Sequence, residues 1–121
     1  MDALPQHASV VVIGGGIMGC STLYHLAEMG VSDAVLVERN QLTSGTTWHS
    51  AAQVRALRSS SNLTRMIQYS VELYSRLEKE TGQQVGWIQE GSLSIATTPG
   101  RLDHIRRQEA LAKAYGVSAL S

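Results

Sequence analysis

Apolar and polar positions change rhythm several times along this chain, and each change marks an element. Val10, Val11, Val12 and Ile13 form an uninterrupted β-branched run, the pattern of a strand covered on both faces in a parallel sheet. Gly14, Gly15 and Gly16 end it. From Ile17 the apolar positions fall at helical spacing through Leu23, Leu26 and Ala27, and Gly30 supplies a C-terminal stop. A second apolar run, Ala34 to Val37, closes at Glu38. A helix between two such strands predicts a right-handed parallel crossover.

Beyond it the signal loosens. Residues 41–50 are polar and rich in Ser, Thr and Gly, which predicts an irregular loop. Asn62 is positioned to cap a second helix, whose apolar residues Leu63, Met66, Ile67, Val71, Leu73, Tyr74 and Leu77 keep three-to-four spacing and end near Gly82. Residues 87–89 and 93–96 read as short strands about a Glu90-Gly91 turn, a predicted hairpin. Thr98 and Pro99 then open a third helix, which runs through Leu102, Ile105 and Leu111 to a stop at Gly116.

Composition narrows the function classes. In 121 residues, 43% hydrophobic, there is room for one core, and disorder is not expected. Ten Lys and Arg balance ten Asp and Glu, leaving no positive excess to hold nucleic acid or an anionic membrane. No apolar stretch approaches the roughly 20 residues that span a bilayer. The opening MDALPQHAS has neither a basic start with an apolar run nor an Arg-rich amphipathic pattern, which predicts a cytoplasmic protein; the mitochondrial matrix is the alternative for a eukaryotic chain. One cysteine, Cys20, excludes an internal disulfide and is expected to fill a helix–sheet contact.

The chemistry concentrates at the first strand–helix junction. Gly14, Gly16 and Gly19 have the spacing of a dinucleotide cradle: a tight turn, close backbone approach to a pyrophosphate, and close packing of helix on strand. The helix behind them opens with Ile17 and Met18, whose unpaired N–H groups and dipole favour the negative charge. Glu38 follows Gly19 by 19 residues, where a carboxylate can accept both ribose hydroxyls of an adenosine. Such an acid opposes a 2′-phosphate and so disfavours NADP, although Arg39 beside it also belongs to the candidate binding set. The glycine motif by itself leaves NAD and FAD open.

The run Leu42-Thr43-Ser44-Gly45-Thr46-Thr47-Trp48-His49 resembles the flavin loop of the dimethylglycine and sarcosine dehydrogenases, within the D-amino-acid-oxidase-like FAD superfamily. The resemblance continues through Glu80-Thr81-Gly82, Gly86-Trp87-Ile88, Gly91-Ser92-Leu93 and Ile95-Ala96. It implies FAD as cofactor and places Ser44, Gly45, Thr46 and Thr47 against its pyrophosphate and ribityl chain. Trp48 would shield the flavin or fill core space. His49 matches the histidine that those enzymes join covalently to the flavin, a neutral imidazole nitrogen attacking the activated 8-methyl position. Ala52 departs from the pattern, standing where that family typically has glycine. Arg55 and Arg58 are candidates for an anionic group such as a substrate carboxylate.

The same resemblance implies oxidation of a secondary or tertiary amine such as an N-methylated glycine, with transfer to flavin N5 and release through an iminium. An electron-transfer flavoprotein or oxygen would take the electrons, and tetrahydrofolate would belong to a further C-terminal domain. No catalytic side chain is identifiable in this chain. The expected fold class is α/β, the N-terminal part of a Rossmann-like FAD-binding fold of D-amino-acid-oxidase type. Residues 8–50 would form the dinucleotide-binding unit and flavin loop, and residues 51–121 the helices and hairpin that begin the rest of the domain. Two parallel strands cannot bury both faces, so the sheet is incomplete here and the isolated piece is expected to bind FAD poorly. A non-catalytic remnant and a NAD-binding module are the competing readings.

Overall fold

The computed structural model describes residues 5–118. It divides into two compact units, one ending at Gln53 and the other beginning at Val54. The first holds β1 (Val10–Ile13), α1 (Ile17–Glu28) and β2 (Ala34–Val37). These are the bounds that the apolar runs predict. The strands pair in parallel, from Val10 opposite Ala34 to Ile13 opposite Val37, and α1 is the crossover between them.

Only one face of this sheet is covered among the described residues. Val12 lies on the α1 side, where a Cβ added at Gly19 would meet its Cγ1 at 3.4 Å. Val11 and Ile13, alternating with it, are exposed, Ile13 at 87%. Both ends of the ladder carry extra bonds. At the start, Ser9 donates its amide to Asp33 Oδ2 at 3.1 Å and its hydroxyl to Asp33 Oδ1. At the far end, the amide of Gly14 donates to the carbonyl of Val37 at 2.8 Å. The Ser9 hydroxyl, ahead of the neighbouring amides, holds the Asp33 carboxyl below its ordinary range.

The second unit holds α2 (Ser61–Thr81) and α3 (Pro99–Ala114). Its α2 starts two residues earlier than predicted: Ser60, in extended conformation, is the residue before the first turn. Asn62 is not the cap but lies inside the helix, where its Oδ1 accepts from Arg65 at 2.7 Å. Gly82, left-handed at φ 69°, ends the helix as predicted. In α3, the Thr98 hydroxyl accepts from the Arg101 amide at 3.3 Å and Pro99 follows at the first helical position. Core is sparse here. Thr64 and Ala112 are buried at 0% and 3%, whereas Leu63 and Met66 of the predicted apolar face are exposed.

The predicted hairpin does not form. Residues 87–89 and 93–96 carry no ladder, and Ile88, Leu93 and Ile95 are exposed. Alternation prepares a strand, but a strand exists only against a partner edge. Trp87 packs elsewhere, its ring 5.4 Å from that of Tyr74 on α2 at 31° between planes.

Candidate functional site

The junction of β1 and α1 is built by close approach. A Cβ on Gly19 would lie 1.8 Å from the carbonyl oxygen of Gly14, so only glycine lets the first turn of α1 sit against the end of β1. Gly14 itself turns the chain at φ 106°. A Cβ on Gly16 would meet the Thr47 hydroxyl at 3.2 Å. Gly14 and Gly19 are thus in close contact, and Gly16 faces the Thr47 side chain.

Gly15, between them, is a residue that the motif spacing does not single out. It is buried, and every polar atom of its backbone is engaged. Its amide donates to Glu38 Oε2 at 2.7 Å. Its carbonyl accepts from the Thr43 amide at 2.8 Å and from Cys20 Sγ at 3.5 Å. A Cβ here would strike Leu42 Cδ2 at 2.5 Å and Glu38 Cβ at 3.0 Å. The signal was the unbroken triplet of glycines. Cys20 is half-buried rather than fully packed, its thiol turned to this carbonyl.

Glu38 is drawn inward by amides. Besides Gly15, its Oε1 accepts from the Asn40 amide at 2.8 Å. The Gly15 bond first, and the Asn40 bond second, hold its carboxyl below the ordinary range. It stands ionised at neutral pH beside the glycine turn, and each oxygen keeps a second lone-pair direction for a hydroxyl donor. Arg39 is exposed.

Residues 41–50 are a chain of tight turns. Thr43, left-handed at φ 65°, begins it; for a β-branched residue this is a strained conformation. Its carbonyl accepts from the Trp48 amide at 3.1 Å, and the Ser44 amide donates to Gln41 at 3.3 Å. Gly45 accepts from the Trp48 amide at 3.2 Å, and Thr46 from the His49 amide at 3.1 Å. The His49 ring closes the same turn, Nδ1 lying 2.9 Å from the Gly45 carbonyl oxygen. A carbonyl only accepts, so Nδ1 carries the proton and in the neutral ring Nε2 holds the free lone pair. Thr47 Oγ1 accepts the first amide of α1, that of Ile17, at 2.9 Å. The side chains of Ile17 and Met18 are exposed, and so is Trp48, at 78%, which fills no core among the described residues.

These parts fit a dinucleotide: a cradle that Cβ atoms would fill, a helix N-terminus above it and an ionised acid at the end of β2. In the second unit, Arg55 and Arg58 are exposed. The backbone of Arg58 is held by Thr64, whose hydroxyl accepts from its amide at 3.1 Å and donates to its carbonyl at 3.2 Å.

Known proteins match this chain over most of its length. A family model described as FAD dependent oxidoreductase matches residues 9–121. Mitochondrial sarcosine dehydrogenase of Homo sapiens is 53% identical over 117 residues, covering 96% of this chain and 13% of that protein. Mitochondrial dimethylglycine dehydrogenase of Rattus norvegicus is 48% identical over 103 residues, covering 85% of this chain and 12% of that protein. The chain thus spans about an eighth of the length of these relatives. L-amino acid deaminase from Proteus vulgaris superposes with a TM-score of 0.84 at 21% identity, over 99% of this chain and 28% of that one, and shows the shared fold.

Proposed function

From a chain that belongs to the FAD dependent oxidoreductase family, we propose that it forms the nucleotide-holding part of an enzyme oxidising a secondary or tertiary amine, such as an N-methylated amino acid. The observation that carries this reading is the Glu38 carboxylate, ionised and bonded to Gly15 beside a cradle closed by the Thr43–His49 turns. Glu38 accepts the adenosine ribose hydroxyls. Gly14, Gly16 and Gly19 admit the pyrophosphate, and the first amides of α1, at Ile17 and Met18, face its charge. Ser44, Gly45, Thr46 and Thr47 line the approach to it, Trp48 shields the flavin side, and Arg39 flanks the ribose.

FAD, when bound, accepts the hydrogen and electrons removed from the carbon beside the amine nitrogen. His49 offers Nε2 for the covalent bond, because Nδ1 is occupied by Gly45. Arg58, fixed through its backbone by Thr64, is available for a substrate carboxylate. The electron-transfer flavoprotein and the tetrahydrofolate-using domain implied by the resemblance belong to the proposal for the whole protein. Its compartment would be the cytoplasm in a bacterium and the matrix in a eukaryote.

The test is made on the full-length protein. Flavin absorbance should bleach under anaerobic sarcosine or dimethylglycine, and acid precipitation should carry the flavin down with the protein. Flavin that stays oxidised with both amines would reject the amine assignment, and flavin left entirely in the supernatant would reject the His49 bond.

A further inference from the structure

Thr47 differs from every neighbour in its loop. Residues 41–46 and 48–50 are exposed, and Thr47 alone is half-buried. Its side chain also bonds to the β1–α1 junction: Oγ1 accepts the Ile17 amide at 2.9 Å, while the ring of His49 turns back onto Gly45 and the Ser50 hydroxyl accepts only from nearby Ala52. Gly16, the residue before α1, has no side chain to cap the helix. The first amides of a helix lack partners within it, so a hydroxyl arriving from 30 residues away supplies the cap.

The mechanical consequence concerns His49. Its amide hangs on Thr46 at 3.1 Å and its ring on Gly45 at 2.9 Å. Those bonds shape the turn but do not locate it. Two attachments locate it against the β1–α1 junction: the Thr43 amide on the Gly15 carbonyl at the entry, and the Thr47 hydroxyl on Ile17 two residues before His49. The entry attachment rests on a residue strained at φ 65°.

We infer that Thr47 is a positioning residue for His49, its hydroxyl fastening the histidine turn to the first amide of α1 so that Nδ1 stays on Gly45 and Nε2 stays free. The inference rests on the reading of His49 as the flavin-linked residue and assigns the Thr47 oxygen to the helix. Its own hydroxyl proton remains available for an anion above α1.

The readout is the imidazole of His49 in the 15N-labelled chain without flavin, so its outcome is separate from that of the acid precipitation. Thr47→Val removes the hydroxyl at nearly constant volume, and Thr47→Ser keeps it. In the unaltered chain and in Thr47→Ser, the His49 ring should show one tautomer with Nδ1 protonated. In Thr47→Val the two ring nitrogens should average, and the Ile17 amide should exchange about fivefold faster, the loss of one hydrogen bond. A single Nδ1–H tautomer in Thr47→Val, with Ile17 exchange unchanged, would overturn the inference, as would a ring that loosens equally in Thr47→Ser. Should Thr47→Val fail to fold, the unaltered chain decides. Its Ile17 amide should exchange about fivefold more slowly than that of Met18, and equal rates overturn the assignment.

Discussion

Glu38 accepts the amide proton of Gly15 at 2.7 Å, tying the residue after β2 to the middle of the glycine turn. Because this bond lowers the folded-state pKa, the carboxylate contributes stability above its ordinary value of 4.5, and that contribution is lost as pH falls through the folded value. The thermal midpoint should therefore drop on acidification below pH 4.5, and drop less steeply in Glu38→Gln. Asp33, held low by Ser9, leaves a residual slope in that variant. Circular-dichroism melts across acid pH check this, and parallel slopes for the two proteins would refute it.

Gly19→Ala should destabilise by about 3 kcal/mol or more, the upper end of overpacking, because the added carbon meets backbone oxygen that cannot step aside. Gly45→Ala serves as the contrast, since nothing lies within 4 Å of a Cβ there, and it should stay within about 0.5 kcal/mol. Denaturant unfolding of both variants checks the pair.

That junction was legible in advance because its signals are local: a β-branched run, a glycine triplet and an acid at the end of the second run. The caps were less so. Ser59, Ser60, Ser61 and Asn62 are all competent to cap, and composition alone does not rank them. The hairpin at 87–96 failed for a different reason: alternation describes a surface, and pairing depends on an edge elsewhere. The roles of Gly15 and Thr64, and the bond of Thr47 to Ile17, were illegible because the partners are set by the fold rather than by spacing.

Ala52 sits at φ 51°, in the left-handed region where an L side chain costs about 1 kcal/mol or more. The resemblance implies glycine at this place. Ala52→Gly should raise stability by about 0.5–1 kcal/mol, the relief of strain exceeding the entropy that glycine adds to the unfolded chain. A lowered melting midpoint would contradict it.

Thr64→Val keeps the volume of a fully buried side chain and strands both the amide and the carbonyl of Arg58. The expected cost is about 2 kcal/mol. Thr64→Ser, retaining both bonds, should recover most of it in the same denaturant titration.

A ladder of four pairs would ordinarily unzip from its tips. This one has a clasp at each tip: Asp33 grips Ser9 at one, and Gly14 with Gly15 grip Val37 and Glu38 at the other. Fraying from either tip then has to break these bonds as well as the ladder. On the proposed reading, the bonds that shape the nucleotide cradle are the same ones that close this end of the sheet.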